Sequence, residues 1–273
     1  KTGGPLRMAW SWPDVDMTAL DPTTVVVSRE PDGRWFVTLA MDTEDPAPLP
    51  DTGSTAGVDL GVKEFAVLST GERIPNPRHA ERHERRLRRY QRMMARRKKG
   101  SNNRAKARVK VARAHARVRD TRRDFLHKTS TDLVRRFDRV GVEDLNVSGM
   151  VRNRSLAKAI SRCGWAEFRS MLEYKAERAG RQFVVVDRWY PSSKTCSDCG
   201  HLLASLSLGT RHWTCPGCGT RHDRDHNAAK NIDTAAGLAA AACGADMRPR
   251  QATARRSATK QEDPPARGGI PHL

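Results

Sequence analysis

No apolar run in this 273-residue sequence is long enough to cross a bilayer, and no secretory signal opens it. A soluble, cytoplasmic protein, nucleoid-associated given its charge, is therefore expected, and a membrane partner is not. Cysteine is sparse: four of the six stand in two close pairs, leaving only Cys163 and Cys243, so a disulfide framework is not expected. The three tyrosines, Tyr90, Tyr174 and Tyr190, follow no His-hydrophobic-His pair, so strand transfer through a tyrosine nucleophile lacks its parts. There is no internal repeat. Acidic residues are in deficit, 31 against 50 Lys and Arg, and the resulting net charge of +19 with a pI near 10.5 points to a polyanionic partner. That excess is local. Residues Arg78 to Arg123 hold 20 Lys or Arg against 3 acidic residues, which is +17, so the remainder of the chain sums to +2. A charge run that holds nearly the whole surplus reads as a binding surface for phosphates. At 37% apolar content the chain can bury one sizeable core and a small appendage.

What is present begins with two β-rich runs, Thr24 to Ser28 and Trp35 to Asp42, separated by the turn Pro31-Asp32-Gly33. After a Pro-rich linker, Ala56 to Val62 and Phe65 to Leu68 predict a second hairpin, with Gly71 beginning the exit. His79 to Lys99 carries Leu87, Tyr90 and Met94 at helical spacing, Gly100 to Asn103 breaks it, and a second basic helix is predicted from Arg104 through Phe137. Its stripe of Phe125, Leu126, Leu133, Val134 and Phe137 reads as core. Arg139 to Leu145 predicts a buried strand ending in carboxylates, Leu156 to Ala179 one long amphipathic helix, and Gln182 to Asp187 an apolar strand. Asp225 opens an Ala-rich helix through Ala242, and the tail from Arg248 is expected to be disordered.

Cys196-x-x-Cys199, fifteen residues, then Cys215-x-x-Cys218 is the spacing of a four-thiolate zinc ribbon. With no open coordination position, one structural zinc ion is expected. His201, His212, His222 and His226 flank a site the cysteines already complete, and they read as surface or nucleic-acid contacts. Asp59 falls in a strand, Glu143 near the end of another and Asp225 at a helix start. Singly, each such residue is more often a cap or turn residue. Brought together they would repel unless a divalent cation lay between them, which is the electrostatic arrangement of a nuclease using two Mg²⁺ or Mn²⁺ ions.

Several segments carry a resemblance: Gly57-Val58-Asp59-Leu60-Gly61, Val142-Glu143-Asp144-Leu145-Asn146, Trp165 to Lys175, Asp187 to Cys199, and Asp223 to Ile232. From Thr24 onward the sequence resembles the TnpB (OrfB) family of transposon-encoded proteins, related to type V CRISPR effectors. The resemblance implies an α/β fold: a ribonuclease-H-like (RuvC) mixed sheet with a helical insertion and an inserted four-cysteine zinc ribbon. It divides the chain into the remnant of an N-terminal β domain (1–50), a nuclease core (51–194) carrying a basic helical insertion (78–137), the ribbon (195–221), the last core helix (222–247) and the tail (248–273).

Motif by motif, Asp59, Glu143 and Asp225 become the metal-binding catalytic residues. Asp225 is preferred to Asp223 by its place before the Asn-Ala-Ala run, and Glu143 to Asp144, the two others being left to cap or hydrogen-bond locally. The implied function is a transposon-associated, RNA-guided, metal-dependent DNA endonuclease, with DNA and a guide RNA as partners. Arg85, Arg88, Arg92, Arg96, Lys98, Arg104 and Lys106 would contact the guide heteroduplex or substrate strand. Arg188, Lys194 and Arg211 would hold DNA at the cleft, although Pro191 to Thr195 reads equally as a turn that positions the first zinc knuckle. Family members carry a larger N-terminal region, of which this sequence shows only a final hairpin. The alternatives are a non-cleaving nucleic-acid-binding regulator and a truncated, inactive transposon remnant.

Overall fold

The computed structural model describes Ala9 and residues 15–42, 44, 46–207 and 209–242. The predicted tail and the last residues of the final segment lie outside them. The first hairpin forms as its turn chemistry dictates: β1 (Thr24–Arg29) pairs antiparallel with β2 (Trp35–Ala40), and Gly33 takes the left-handed conformation that the turn requires. Its central residues Val25, Val26, Val27, Trp35, Phe36 and Val37 are exposed.

The core is built on a five-stranded mixed sheet. β3 (Thr55–Leu60) and β4 (Glu64–Leu68) form the second predicted hairpin. The sequence pattern ends it at Gly71, but Gly71 turns the chain back into a third strand, β5 (Arg73–Pro75), whose three residues are too few to show a strand pattern. Two helices then leave the sheet, α1 (His79–Ala95) and the 35-residue α2 (Asn102–Arg136), before β6 (Arg139–Glu143) returns parallel to β3. The Ser101 hydroxyl caps α2 by accepting the Arg104 amide at 3.2 Å. At 1.5 Å per residue α2 is about 50 Å long. Only its C-terminal half enters the core, through Leu126, Leu133 and Val134; the buried side chains of its first half are alanines. The basic hairpin of α1 and α2 therefore projects from the sheet. Ion pairs at 2.7 Å, Arg119 to Glu30 and Arg34 to Asp120, hold the β1–β2 turn against it.

A short turn of helix, α3 (Val147–Met150), follows β6. The single helix predicted from Leu156 to Ala179 is in fact two, α4 (Ala157–Cys163) and α5 (Trp165–Arg178). Gly164 separates them in the left-handed conformation (φ 74°). A Cβ there would sit 3.2 Å from Leu126 Cδ1 and 3.3 Å from Arg122 Cδ. Hydrophobic periodicity continues through the break because both helices bury a face in the same core, which is why the pattern alone conceals it. β7 (Gln182–Val186) completes the sheet in the order β5-β4-β3-β6-β7, parallel to β6. A small hairpin of β8 (His212–Thr214) and β9 (Arg221–Asp223) leads directly into α6 (Arg224–Ala242).

Strand alternation decides which residues face which helix layer. Ala56, Val58, Val140 and Val142 join the main core with Phe65, Leu126, Phe168 and Leu172, on the side of α2 and α5. Gly57 and Gly141 point to the opposite face, where α6 lies so close that a Cβ on Gly57 would fall 2.1 Å from the Ala229 carbonyl oxygen, and one on Gly141 2.7 Å from Ala236 Cβ. Two residues further along each strand, on that same face, stand Asp59 and Glu143.

A carboxylate cleft beside a four-cysteine cluster

β3 and β6 pair in register from Thr55 with Arg139 to Val58 with Val142, so continuation by one residue sets Asp59 beside Glu143. The first turn of α6 brings Asp225 over them. The three carboxylates line one cavity of about 280 Å³, with Arg211, Arg224, Ser192 and Ser193 also on its wall. Burial pushes the Asp59 carboxyl well above its ordinary range, and the neighbouring Asp225 and Glu143 charges push it further. Burial likewise raises Glu143. Such carboxylates suit a divalent cation, whose charge would relieve both the desolvation and the mutual repulsion.

The two acidic neighbours are committed elsewhere. Asp144 pairs with Arg169 at 2.6 Å and with Arg188, and these hydrogen bonds hold its pKa below the usual carboxylate range. Asp223 accepts the His226 amide at 3.0 Å and pairs with Arg73 at 2.8 Å, which against the pull of desolvation holds its pKa below the usual carboxylate range.

Among the described residues, Cys196, Cys199, Cys215 and Cys218 form the group whose metal-binding atoms all lie within 4.8 Å of one another. The Sγ atoms are 3.7 Å apart for Cys196 and Cys218, and 3.6 Å for Cys199 and Cys215. A tetrahedron with Zn–S bonds of about 2.3 Å has an edge of roughly 3.8 Å, so the cluster could hold a zinc ion. Each knuckle is closed by a backbone bond, Gly200 to the Cys196 carbonyl and Gly219 to the Cys215 carbonyl, both 2.9 Å. His201 and His212 are exposed, as expected of surface residues. His222 corrects that expectation: it is buried, tilted against Trp213 with ring centroids 4.7 Å apart, and its Nε2 lies 3.0 Å from Cys196 Sγ. His226 also turns inward, with Nε2 3.0 Å from the Ser69 carbonyl.

Two buried asparagines that the sequence pattern does not single out join cluster to cleft. Asn227 Oδ1 accepts the Ser197 amide at 3.0 Å, and the side-chain amides of Asn227 and Asn231 both donate to the Ser192 and Thr195 carbonyls. A second link is Arg211, which reaches from the loop between the cysteine pairs to within 3.3 Å of Asp225. The run before the first knuckle is thus a turn fixed by α6, and through Ser192 and Ser193 it is also a wall of the cleft.

Arg85, Arg88 and Arg92 are exposed on α1, as is Arg96 at its C-cap, and with Arg89 and Arg97 they line a shallow groove. Lys98 and Lys106 are exposed as well. Arg104 is a different case: its guanidinium donates to the Met94 and Arg97 carbonyls at 3.0 and 3.1 Å, fastening the end of α1. Arg188 is engaged with Asp144 as described, and Lys194 is half-buried before the first knuckle.

Two family models match the chain: one described as "Probable transposase" (OrfB_IS605) over residues 38–154, and one described as "Cas12f1-like, TNB domain" over residues 165–232. A Streptomyces pristinaespiralis protein named "Putative RNA-guided DNA endonuclease" is 52% identical over 276 residues, spanning 100% of this chain and 67% of its own length. The Escherichia coli K12 protein "Putative RNA-guided DNA endonuclease InsQ" is 34% identical over 227 residues, 78% of this chain and 56% of that protein. A solved Cas12f1 complex with sgRNA and target DNA matches 77% of this chain and 55% of that chain at 20% identity, with a TM-score of 0.49. The chain spans between about half and two thirds of the length of these proteins.

Proposed function

This chain belongs to the TnpB (OrfB) family of transposon-associated RNA-guided DNA endonucleases, and we propose that its carboxylate cleft is a RuvC-like nuclease site that cleaves DNA with divalent metal ions. The observation that carries this reading is the gathering of Asp59, Glu143 and Asp225 on one cavity wall from three distant parts of the chain. Two parallel strands and a helix supply them, as a ribonuclease-H-like core would, with residues 51–194 and 222–242 forming that core around the ribbon at 195–221. Asp59, Glu143 and Asp225 would hold Mg²⁺ or Mn²⁺, which when bound activates water and stabilises the leaving oxygen of an in-line phosphodiester cleavage. Arg211 places a cation at the Asp225 edge of the cavity, where a scissile phosphate would lie. The exposed arginines of α1 would track the backbone of a guide RNA–DNA heteroduplex, which is read by shape rather than sequence.

The direct test supplies the chain with RNA transcribed from its own transposon end and a matching DNA. Cleavage is expected with Mg²⁺ and none with a chelator; cleavage that persists without divalent metal overturns the reading. Charge reversal of Arg85, Arg88 and Arg92 to Glu should weaken nucleic-acid binding uniformly across sequences. It should also lower the dependence of log K on log salt by about 0.7–0.9 for each phosphate no longer neutralised. An unchanged slope would mean that α1 is merely solvated.

A further inference from the structure

Trp189 is 84% exposed, more than any other large hydrophobic residue described. Leaving an indole in water forfeits the gain from burial, and the turn that carries it is built to hold it there. Asp187 Oδ1 accepts the Trp189 amide at 2.7 Å, and the Asp187 carbonyl accepts the Tyr190 amide at 3.0 Å. This turn leaves β7 at Val186, the residue paired with Glu143 across the sheet. Its flanks reach both ways. Arg188 lines a second cavity of about 320 Å³, while Ser192 and Ser193 line the carboxylate cavity, and the two cavities share Leu60 and Glu143. Trp189 therefore stands in the turn that runs from Arg188, on the wall of one cavity, to Ser192 and Ser193, on the wall of the other.

We infer that Trp189 is a stacking platform for an unpaired nucleobase of the DNA strand entering the carboxylate cleft. A duplex keeps its base faces stacked and offers none to an indole, whereas a single strand exposes a π-face at every base, whatever the sequence. One base held on Trp189 would fix the register of the strand against Glu143. The inference rests on the nuclease reading of the cleft, but binding can be measured without cleavage.

The test uses the full chain with Ca²⁺ in place of Mg²⁺, a short oligothymidylate, its abasic counterpart and the matching RNA oligomer. Tryptophan emission is compared between wild type and Trp189→Phe, because the chain holds five other tryptophans. The oligothymidylate should quench wild-type emission, and that increment should vanish in Trp189→Phe while affinity stays within a few-fold. Trp189→Leu should weaken oligothymidylate binding roughly 5- to 150-fold, the equivalent of about 1–3 kcal/mol of stacking, and leave abasic binding unchanged. A far-UV circular dichroism spectrum and Tm matching wild type in each variant certify the fold. The platform is overturned by wild-type affinity in Trp189→Leu, by a quench that survives in Trp189→Phe, by equal quenching with the abasic strand, or by quenching with RNA and not DNA. Cleavage surviving in an Asp59 variant would instead remove Asp59, and with it the nuclease reading of this cleft, and leave the quench intact.

Discussion

Asp59→Asn is expected to reduce metal-dependent DNA cleavage by about 10³-fold or more while leaving nucleic-acid affinity near wild type. The substitution keeps the shape of the side chain and removes the charge that would hold a cation at the end of β3. Several kcal/mol of transition-state charge stabilisation would depend on that cation, at 1.36 kcal/mol per tenfold in rate. Glu143→Gln should behave alike. A second readout separates loss of chemistry from loss of fold. Burial and the adjacent Asp225 and Glu143 raise the Asp59 pKa in the folded chain above its unfolded value. A raised pKa contributes stability that is present below the ordinary carboxylate pKa and is lost as pH rises through the folded value. At neutral pH the metal-free fold therefore bears the cost of keeping Asp59 there, whether as a buried charge or as a proton taken up on folding, and Asn bears neither. Without divalent metal, Asp59→Asn should melt at a higher temperature than wild type, and the gap should close as pH falls toward about 4. Added Mg²⁺ should raise the wild-type Tm and not that of Asp59→Asn. Unimpaired cleavage in the variant would remove Asp59 from the site.

The inactive cleft and the stable fold are thus two faces of one arrangement, and its parts differed in how plainly the sequence carried them. Gly57-x-Asp59 and Gly141-x-Glu143 could be placed because a strand pattern is local, and the two-residue spacing puts glycine and carboxylate on one face. The cysteine frame was legible for the same reason, since each knuckle closes within four residues. Gly164 was not, because helical periodicity runs unbroken through a residue whose φ reverses. β5, an edge strand of three residues, is too short for its alternation to stand out. His222 escaped because a four-thiolate count leaves no ligand position for it, and its place is beside a thiolate rather than on a metal. Asn227 and Asn231 look like ordinary polar residues of an Ala-rich helix; only the approach of the Ser192–Ser197 segment shows that they bind backbone 30 or more positions away in sequence. Arg104 resembled its basic neighbours because a cation that caps a helix and one that faces phosphate have the same composition.

Removing zinc is expected to abolish cleavage as completely as removing Asp59, by another route. Elemental analysis should find about one zinc per chain, and Cys196→Ser should lose it, because three thiolates cannot close the tetrahedron. Zinc binding worth roughly 10–16 kcal/mol would hold a hairpin whose apolar core, among the described residues, is Trp213 with Cys196 and Cys215 and the partly buried Leu203 and Leu206. Without it β8 and β9 lose their tether, and β9 runs directly into the first turn of α6, where Asp225 sits. The Asn227 bond to Ser197 and the Arg211 pairing with Asp225 would loosen together. The main core is independent of these links, since Val58, Phe65, Leu126, Leu133, Phe168 and Leu172 pack on the opposite side of the sheet from α6. Amide hydrogen exchange on Cys196→Ser should therefore show protection retained in β3, β6 and α5 and lost in β8, β9 and the first turns of α6. Asn231→Ala should produce a weaker form of the same change with zinc still bound, because it removes side-chain bonds to Ser192 and Thr195 but no thiolate. Full cleavage by a zinc-free protein would show that Asp225 is positioned by the sheet alone. Loss of protection throughout β3 and β6 would show that the ribbon supports the whole core rather than one wall of the cleft.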